Sequence, residues 1–240
     1  MTGGNNGIGL YTCSLLASLP AYHVIMGSRS IEKGQKAIAE IKSQYPNSSI
    51  SSVKLDIDSD DSIAAAVDEV KSRFGRLDIL VNNAGICPLD FSRTILREAL
   101  ETNTISPAMV TREFAALLGK SSDPRIIYIS SRLGSITLRF DPNSQAWNED
   151  YKSYRISKAA MNMLVACDTW EYGKKGYKVF AYHPGYVLTD LANMREEKSK
   201  KGVATPESSA RGILAIVQGK RDSEVGGFLH GEEAGLQLPW

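Results

Sequence analysis

Short, almost wholly apolar runs alternate with helical periods along the whole chain, and this alternation constrains the fold more than any other feature. The strand-like runs are His23-Val24-Ile25-Met26, Val53-Lys54-Leu55-Asp56-Ile57, Leu77 to Val81, Arg125 to Ile129, Lys178 to Tyr182 and Gly227 to His230. Between them, apolar residues recur at helical spacing over Leu10–Leu19, Ile31–Tyr45, Asp61–Phe74, Leu96–Leu118, Tyr154–Tyr172 and Pro206–Gln218. Strands that are apolar throughout, each followed by a helix, imply a parallel sheet buried on both faces, so the expected class is α/β. Ligands of such sheets sit at the carboxyl ends of the strands, near the switch in strand order. A chain of 240 residues fits one domain over 1–240 better than two.

Charge and cysteine content narrow the function. Lys plus Arg is 28 against 27 Asp plus Glu, a net charge of +1, which argues against a nucleic-acid or membrane-surface partner. The 3 cysteines, Cys13, Cys87 and Cys167, form no CxxC pair, and the histidines show no metal-ligand spacing, so no metal is expected. No apolar run approaches the roughly 20 residues of a membrane span, and the first residues hold a glycine motif rather than a signal peptide. A cytoplasmic protein is the resulting expectation.

The glycine motif is Thr2-Gly3-Gly4-Asn5-Asn6-Gly7-Ile8-Gly9, just ahead of a helix. Glycines let backbone approach a pyrophosphate, and a helix N-terminus adds N–H groups and partial positive charge. A surface turn would explain the glycines alone; the strand–helix alternation that follows favours a nucleotide loop. Such a loop normally follows a first strand. Only Met1 precedes Thr2, so the central strand is expected to be lacking, as in a truncated chain. About 20 residues beyond such a loop, an acid bonds a ribose 2′-hydroxyl or an arginine accepts a 2′-phosphate. That place holds Arg29, flanked by Ser28 and Ser30, and no acid occurs between Gly9 and Arg29. The guanidinium and a serine hydroxyl suit a phosphate, so NADP(H) is expected over NAD(H).

Tyr154 and Lys158 are four apart and share one helix face. An ammonium beside a phenol favours the phenolate and lowers a pKa that is otherwise near 10. The phenol then exchanges a proton with a carbonyl or alcohol oxygen. Tyr151 and Lys152 lie nearby, so the local sequence alone does not choose the pair.

The ordered set of motifs resembles the short-chain dehydrogenase/reductase family. TGxxxGxG matches Thr2, Gly3, Gly7 and Gly9, and NNAG matches Asn82-Asn83-Ala84-Gly85. The helix asparagine matches Asn103, SSxxG matches Ser130 to Gly134, YxxxK matches Tyr154 to Lys158, and PGxVxT matches Pro184 to Thr189. The resemblance implies a single-domain Rossmann-type three-layer sandwich. It implies Tyr154 as acid/base, Lys158 as its tuner and a ribose ligand, Ser131 as the substrate-orienting hydroxyl, and Asn103 as the holder of a water in a proton relay. For the cofactor it implies Thr2, Gly3, Gly7, Ile8, Gly9, Ser28, Arg29, Asp56, Ile57, Asn83, Ala84, Gly85, Pro184, Gly185, Val187 and Thr189, together with Tyr154 and Lys158. Taken singly, Asn103 reads as a helix residue bonding backbone carbonyls, Ser131 as a turn hydroxyl and Asp56 as a cap; taken together and in order, they do not.

The implied reaction is NADPH-dependent, reversible reduction of a ketone or aldehyde, with a small-molecule carbonyl or alcohol as partner. The alternatives are an NAD-dependent alcohol dehydrogenase and a non-catalytic dinucleotide-binding or interaction protein. Ser131 and Tyr154 are 23 apart, and the stretch Thr137 to Asp150 resembles the longer insertions of carbonyl-reductase-like members. It either shapes the substrate mouth, blocks a helix interface of a homo-oligomer, or is a passive surface loop. Trp147 and Tyr186 are candidates to contact an apolar or aromatic carbonyl compound. The charged segment Asp190 to Thr205 reads as a solvated face.

Overall fold

The computed structural model describes all residues except 145, 148–149, 188–190, 192–202, 204 and 232–234. Its strands are β1 (Val24–Ser28), β2 (Ile50–Lys54), β3 (Ile79–Asn82), β4 (Arg125–Ile129), β5 (Lys178–His183) and β6 (Phe228–His230). All named pairs are parallel, β1 with β2 and then β3-β4-β5-β6. The first residues of the chain lie between β1 and β3. The Met1 ammonium donates to the Ile25 carbonyl at 2.9 Å. Gly27 N donates to Met1 O at 2.8 Å, Gly4 N to Gly27 O at 3.0 Å, and Thr2 N to Val81 O at 3.0 Å. Residues 1–4 therefore carry part of the central-strand bonding that the sequence reading expected to be lacking. They bring the glycine loop to the switch point between the two halves of the sheet.

The helices are α1 (Gly7–Ala17), α2 (Ile31–Gln44), α3 (Asp60–Phe74), α4 (Arg93–Leu100), α5 (Ser106–Leu118), the short α6 (Ile136–Arg139), α7 (Lys152–Gly173) and α8 (Pro206–Val217). The period of two along each strand sorts the core into layers. Ile126 and Tyr128 of β4, with Val179 and Ala181 of β5, face Ile63, Phe114, Met161 and Val165 of α3, α5 and α7. The intervening Ile127, Ile129, Phe180 and Tyr182 face Ile213, Ile216 and Val217 of α8. Ala37 and Ile41 of α2 close over Val24 and Met26 of β1 with Cys13 and Ala17 of α1. Each fully buried large apolar side chain contributes about 1.5–3 kcal/mol, which is why strands apolar on both faces settle between two helical layers.

Three elements begin three residues before the sequence expectation. β2 lies three residues earlier because its ladder ends where Asp56 N turns to the Ser62 hydroxyl at 2.9 Å. This leaves Asp56 and Ile57 beyond the carboxyl end of the strand. α1 starts at Gly7, where the Asn6 side chain caps the Gly7 N–H at 2.7 Å. The long helix expected over Leu96–Leu118 begins earlier and is interrupted by a π-helical turn, Glu101–Ile105. Single π turns of this kind are frequent at functional sites, and Asn103 sits in this one.

Candidate active site

The glycine loop is built by close approach. Gly3 and Gly7 have φ of 59° and 51°, in the left-handed region that favours glycine. A Cβ on Gly9 would lie 2.2 Å from the Gly3 carbonyl oxygen and 2.7 Å from Asn83 Nδ2, so only hydrogen fits. The loop after β3 braces it. Thr2 Oγ1 accepts from Asn83 N at 2.9 Å and Ala84 N at 3.0 Å, and Asn83 Nδ2 donates to Thr2 O at 2.9 Å.

These two loops open onto a cavity of about 630 Å³ at the carboxyl ends of the strands. Of the residues proposed from sequence, Gly3, Gly7, Ile8, Arg29, Asp56, Ile57, Asn83, Ala84, Gly85, Tyr154, Lys158 and Pro184 line it. Thr2, Gly9, Asn103, Ser131 and Val187 are buried and not part of that lining, nor is Gly185, with φ of 86°. Ser28 is buried too and gives its hydroxyl to the Ser30 carbonyl at 2.8 Å. Arg29 is exposed on the cavity rim, so it can meet a phosphate without the help expected of Ser28. Thr189 lies outside the described residues. The cavity's size, its glycine-built floor and the N-terminus of α1 at one end fit an extended dinucleotide.

Ser131, Tyr154 and Lys158 converge beside the cavity. Ser131, which caps the turn Arg132–Gly134, is hydrogen-bonded to the Tyr154 hydroxyl, and Ser131 Oγ accepts from Leu133 N at 3.2 Å. Lys158 Nζ lies 5.7 Å from the Tyr154 ring centre and donates to the Ile129 carbonyl at 2.8 Å. Gly134 lets the turn press on the helix, since a Cβ there would meet the Lys158 backbone carbon at 2.6 Å.

The electrostatics correct one expectation. Burial pushes the Tyr154 phenol well above its ordinary value, the Cys87 thiol pushes the same way, and the Ser131 hydrogen bond only partly offsets them. Burial also lowers Lys158 from 10.5 to about 8, with Cys87 opposing. Burial is the largest influence on the phenol, and the Lys158 ammonium, which donates to the Ile129 carbonyl, is not among the groups that shift it. Tyr154 is therefore a protonated phenol at neutral pH.

Asn103 is fully buried and both of its amide donors are used. Nδ2 donates to Ile86 O at 2.9 Å and to Ser157 Oγ at 2.8 Å, and Oδ1 accepts from Ile86 N at 2.9 Å. In this geometry it ties the π turn to the loop after β3 and to α7, close to the bland reading of a backbone-bonding helix residue. Sequence reasoning missed Ser157, whose hydroxyl bridges Asn103 to the Tyr154 carbonyl at 2.8 Å. It also missed Cys87, which lines the cavity and acts electrostatically on both Tyr154 and Lys158. Only the position of Cys87 two residues past Gly85 pointed there. Trp147 and Tyr186 are not among the lining residues; Ile86, Pro88 and Leu191 supply apolar lining instead. Among the described residues no group of three His, Cys, Asp or Glu is arranged to hold a metal ion, and no helix is long and apolar enough to cross a membrane.

The family model for short chain dehydrogenase matches residues 1–200. The short-chain dehydrogenase anuI of Penicillium roqueforti is 34% identical over 251 residues, covering 100% of this chain and 96% of the relative. The short-chain dehydrogenase/reductase tropE of Talaromyces stipitatus is 32% identical, covering 94% of this chain and 92% of the relative. Among solved structures, an NADPH-bound carbonyl reductase from chicken fatty liver superposes with a TM-score of 0.85 at 31% identity, covering 100% of this chain and 97% of the other. The carbonyl reductase Sniffer of D. melanogaster gives 0.82 at 25% identity, over 100% of this chain and 97% of that one.

Proposed function

The chain belongs to the short-chain dehydrogenase family, and within it we propose that it is an NADPH-dependent reductase of a small ketone or aldehyde, reversible as an alcohol dehydrogenase. The observation that carries this reading is a protonated, buried Tyr154 hydrogen-bonded to Ser131 beside Lys158, on a cavity built to hold a dinucleotide. The resemblance to an NADPH-bound carbonyl reductase supports the cofactor, and Arg29 on the cavity rim gives that preference a residue.

The bound nicotinamide would supply the hydride. The glycine loop, Asn83, Ala84 and Gly85 would hold it, and Arg29 would pair with a 2′-phosphate. Ser131 and Tyr154 would both hydrogen-bond the substrate oxygen and orient the carbonyl. As negative charge develops on that oxygen, Tyr154 Oη gives it a proton. The phenolate left behind would have the Lys158 ammonium near it, with Nζ 5.7 Å from the ring centre. A phenol held high in pKa keeps its proton until the substrate oxygen becomes basic, which suits the reducing direction.

The test is fluorescence titration with NADPH and NADH, followed by turnover on a carbonyl panel. Tyr154→Phe is expected to lose about 10²–10⁴-fold in kcat while NADPH binding stays within a few-fold. Arg29→Ala is expected to erase the preference for NADPH by about tenfold or more. Unchanged turnover in the first variant refutes the acid role, and an unchanged preference in the second refutes the phosphate contact.

A further inference from the structure

The start of α7 is strained. Tyr151, the residue before the helix, has φ 40° and ψ 45°, and among the described residues it is the one non-glycine with positive φ. A bulky residue in the left-handed region is an outlier that its surroundings must impose. It lies three residues before Tyr154, so it sets the direction from which the catalytic helix begins.

Arg155 supplies the surroundings. Its backbone N–H donates to the Tyr151 carbonyl at 2.9 Å. Its side chain is only 8% exposed. Nε donates to the Asp150 carbonyl at 2.9 Å, one terminal nitrogen to the Leu133 carbonyl at 3.3 Å, and the other to the Ala146 carbonyl. These three acceptors belong to two different pieces of chain. Asp150 precedes the strained residue, Ala146 is the fully buried point of the 137–150 stretch, and Leu133 is in the turn capped by Ser131. A guanidinium carries five donors in a rigid fork, so a single side chain can hold several carbonyls in fixed relation. Burying such a charge is tolerated only when its donors are used.

We infer that Arg155 is a positioning residue: it locks Ala146 and Asp150, the strained start of α7 and the Ser131 turn into one unit, and so fixes Ser131 against Tyr154. This rests on the reductase reading for its kinetic consequence, and the structural part stands apart from it. On this account the 137–150 stretch is, at Ala146 and Asp150, neither passive nor a mouth-forming flap but one side of a brace on Arg155.

The experiment compares wild type, Arg155→Met and Arg155→Lys, each with and without Tyr151→Gly. Arg155→Met is expected to lower kcat about tenfold or more, because small misplacements of a proton donor are severe, while NADPH affinity stays within about twofold. Arg155→Lys, which keeps the charge but not the fork, is expected to fall between. Tyr151→Gly removes the left-handed strain and is expected to return several-fold of the lost kcat in the Arg155→Met background. A folded Arg155→Met with wild-type kcat overturns the inference; if that variant does not fold, wild-type kcat in Arg155→Lys overturns it equally. Hydrogen exchange is the readout independent of turnover. Faster exchange confined to residues 151–158 and 132–135 in the variants is expected, and unchanged exchange there overturns the brace. Should the wild type reduce no carbonyl while exchange changes as expected, the reductase reading fails and the brace does not.

Discussion

Replacing Lys158 by methionine should end turnover and at the same time remove a pH-dependent burden on folding. Lys158 is 5% exposed and burial lowers its pKa from 10.5 to about 8. The unfolded chain therefore binds this proton more tightly than the folded one, and stability rises with pH between the two values. The shift of about 2.5 units corresponds to about 3 kcal/mol at 1.36 kcal/mol per unit. That penalty is fully present below pH 8 and falls to a few tenths of a kcal/mol by pH 10.5. Methionine removes it but orphans the Ile129 carbonyl that Nζ now bonds at 2.8 Å, a loss of about 1–3 kcal/mol that does not depend on pH. The two effects nearly cancel at pH 7, so the midpoint there decides little. The pH dependence of the difference decides. Urea unfolding followed by circular dichroism at pH 7, 8, 9 and 10.5 should show wild type gaining about 3 kcal/mol on the variant across that range. A difference between the two proteins that stays flat with pH would refute the claim that the lysine is held at a depressed pKa.

Gly9→Ala places a methyl 2.2 Å from the Gly3 carbonyl oxygen, so we expect loss of about 1–3 kcal/mol of stability and at least tenfold weaker NADPH binding, read by thermal melting and calorimetric titration. Asp168 of α7 accepts from the Tyr128 hydroxyl in the core, and burial raises its pKa from 3.8 to about 6. Its folded value is the higher one, so its favourable contribution is complete below pH 3.8 and is lost as pH rises through 6. Asp168→Asn should therefore gain on wild type in melting temperature between pH 4 and pH 7, and parallel melting curves across that range would count against it.

The layered fold was legible because its signal is additive. Residues such as Ile126, Ile127, Tyr128 and Ile129 are apolar on both faces, and with a helix after each such strand a sheet between two helical layers buries them all. The loop residues were legible for a different reason. Gly3 and Gly9 have no tolerable substitute where backbone meets backbone, so the chemistry of the place is written in a single residue type. What the sequence hid were states and partners rather than positions. Tyr154 and Lys158 are spaced as expected, yet the lysine ammonium turns to the Ile129 carbonyl and burial, not the lysine, sets the phenol. Asn103 sits in the helix where it was sought, but it lies in a π turn and bonds Ile86 and Ser157, which no local period encodes.

The same distinction explains why Arg155 was passed over. In sequence it is one residue of the spacer between Tyr154 and Lys158, with nothing in its spacing to single it out. Its acceptors are all main-chain carbonyls, and a carbonyl leaves no mark in the sequence of the segment that offers it. The strain that it maintains at Tyr151 is equally silent, since a tyrosine there carries none of the glycine or asparagine signature of a left-handed residue. A positioning residue of this kind becomes visible only when burial and bonding are read together. A charged side chain that is buried beside a catalytic one must be asked which pieces of backbone it joins, because its desolvation is tolerable only if those bonds are made. Here the pieces joined are the two that carry Ser131 and Tyr154, the hydroxyls to which the proposed reaction is assigned, and the stretch whose length separates them in the chain.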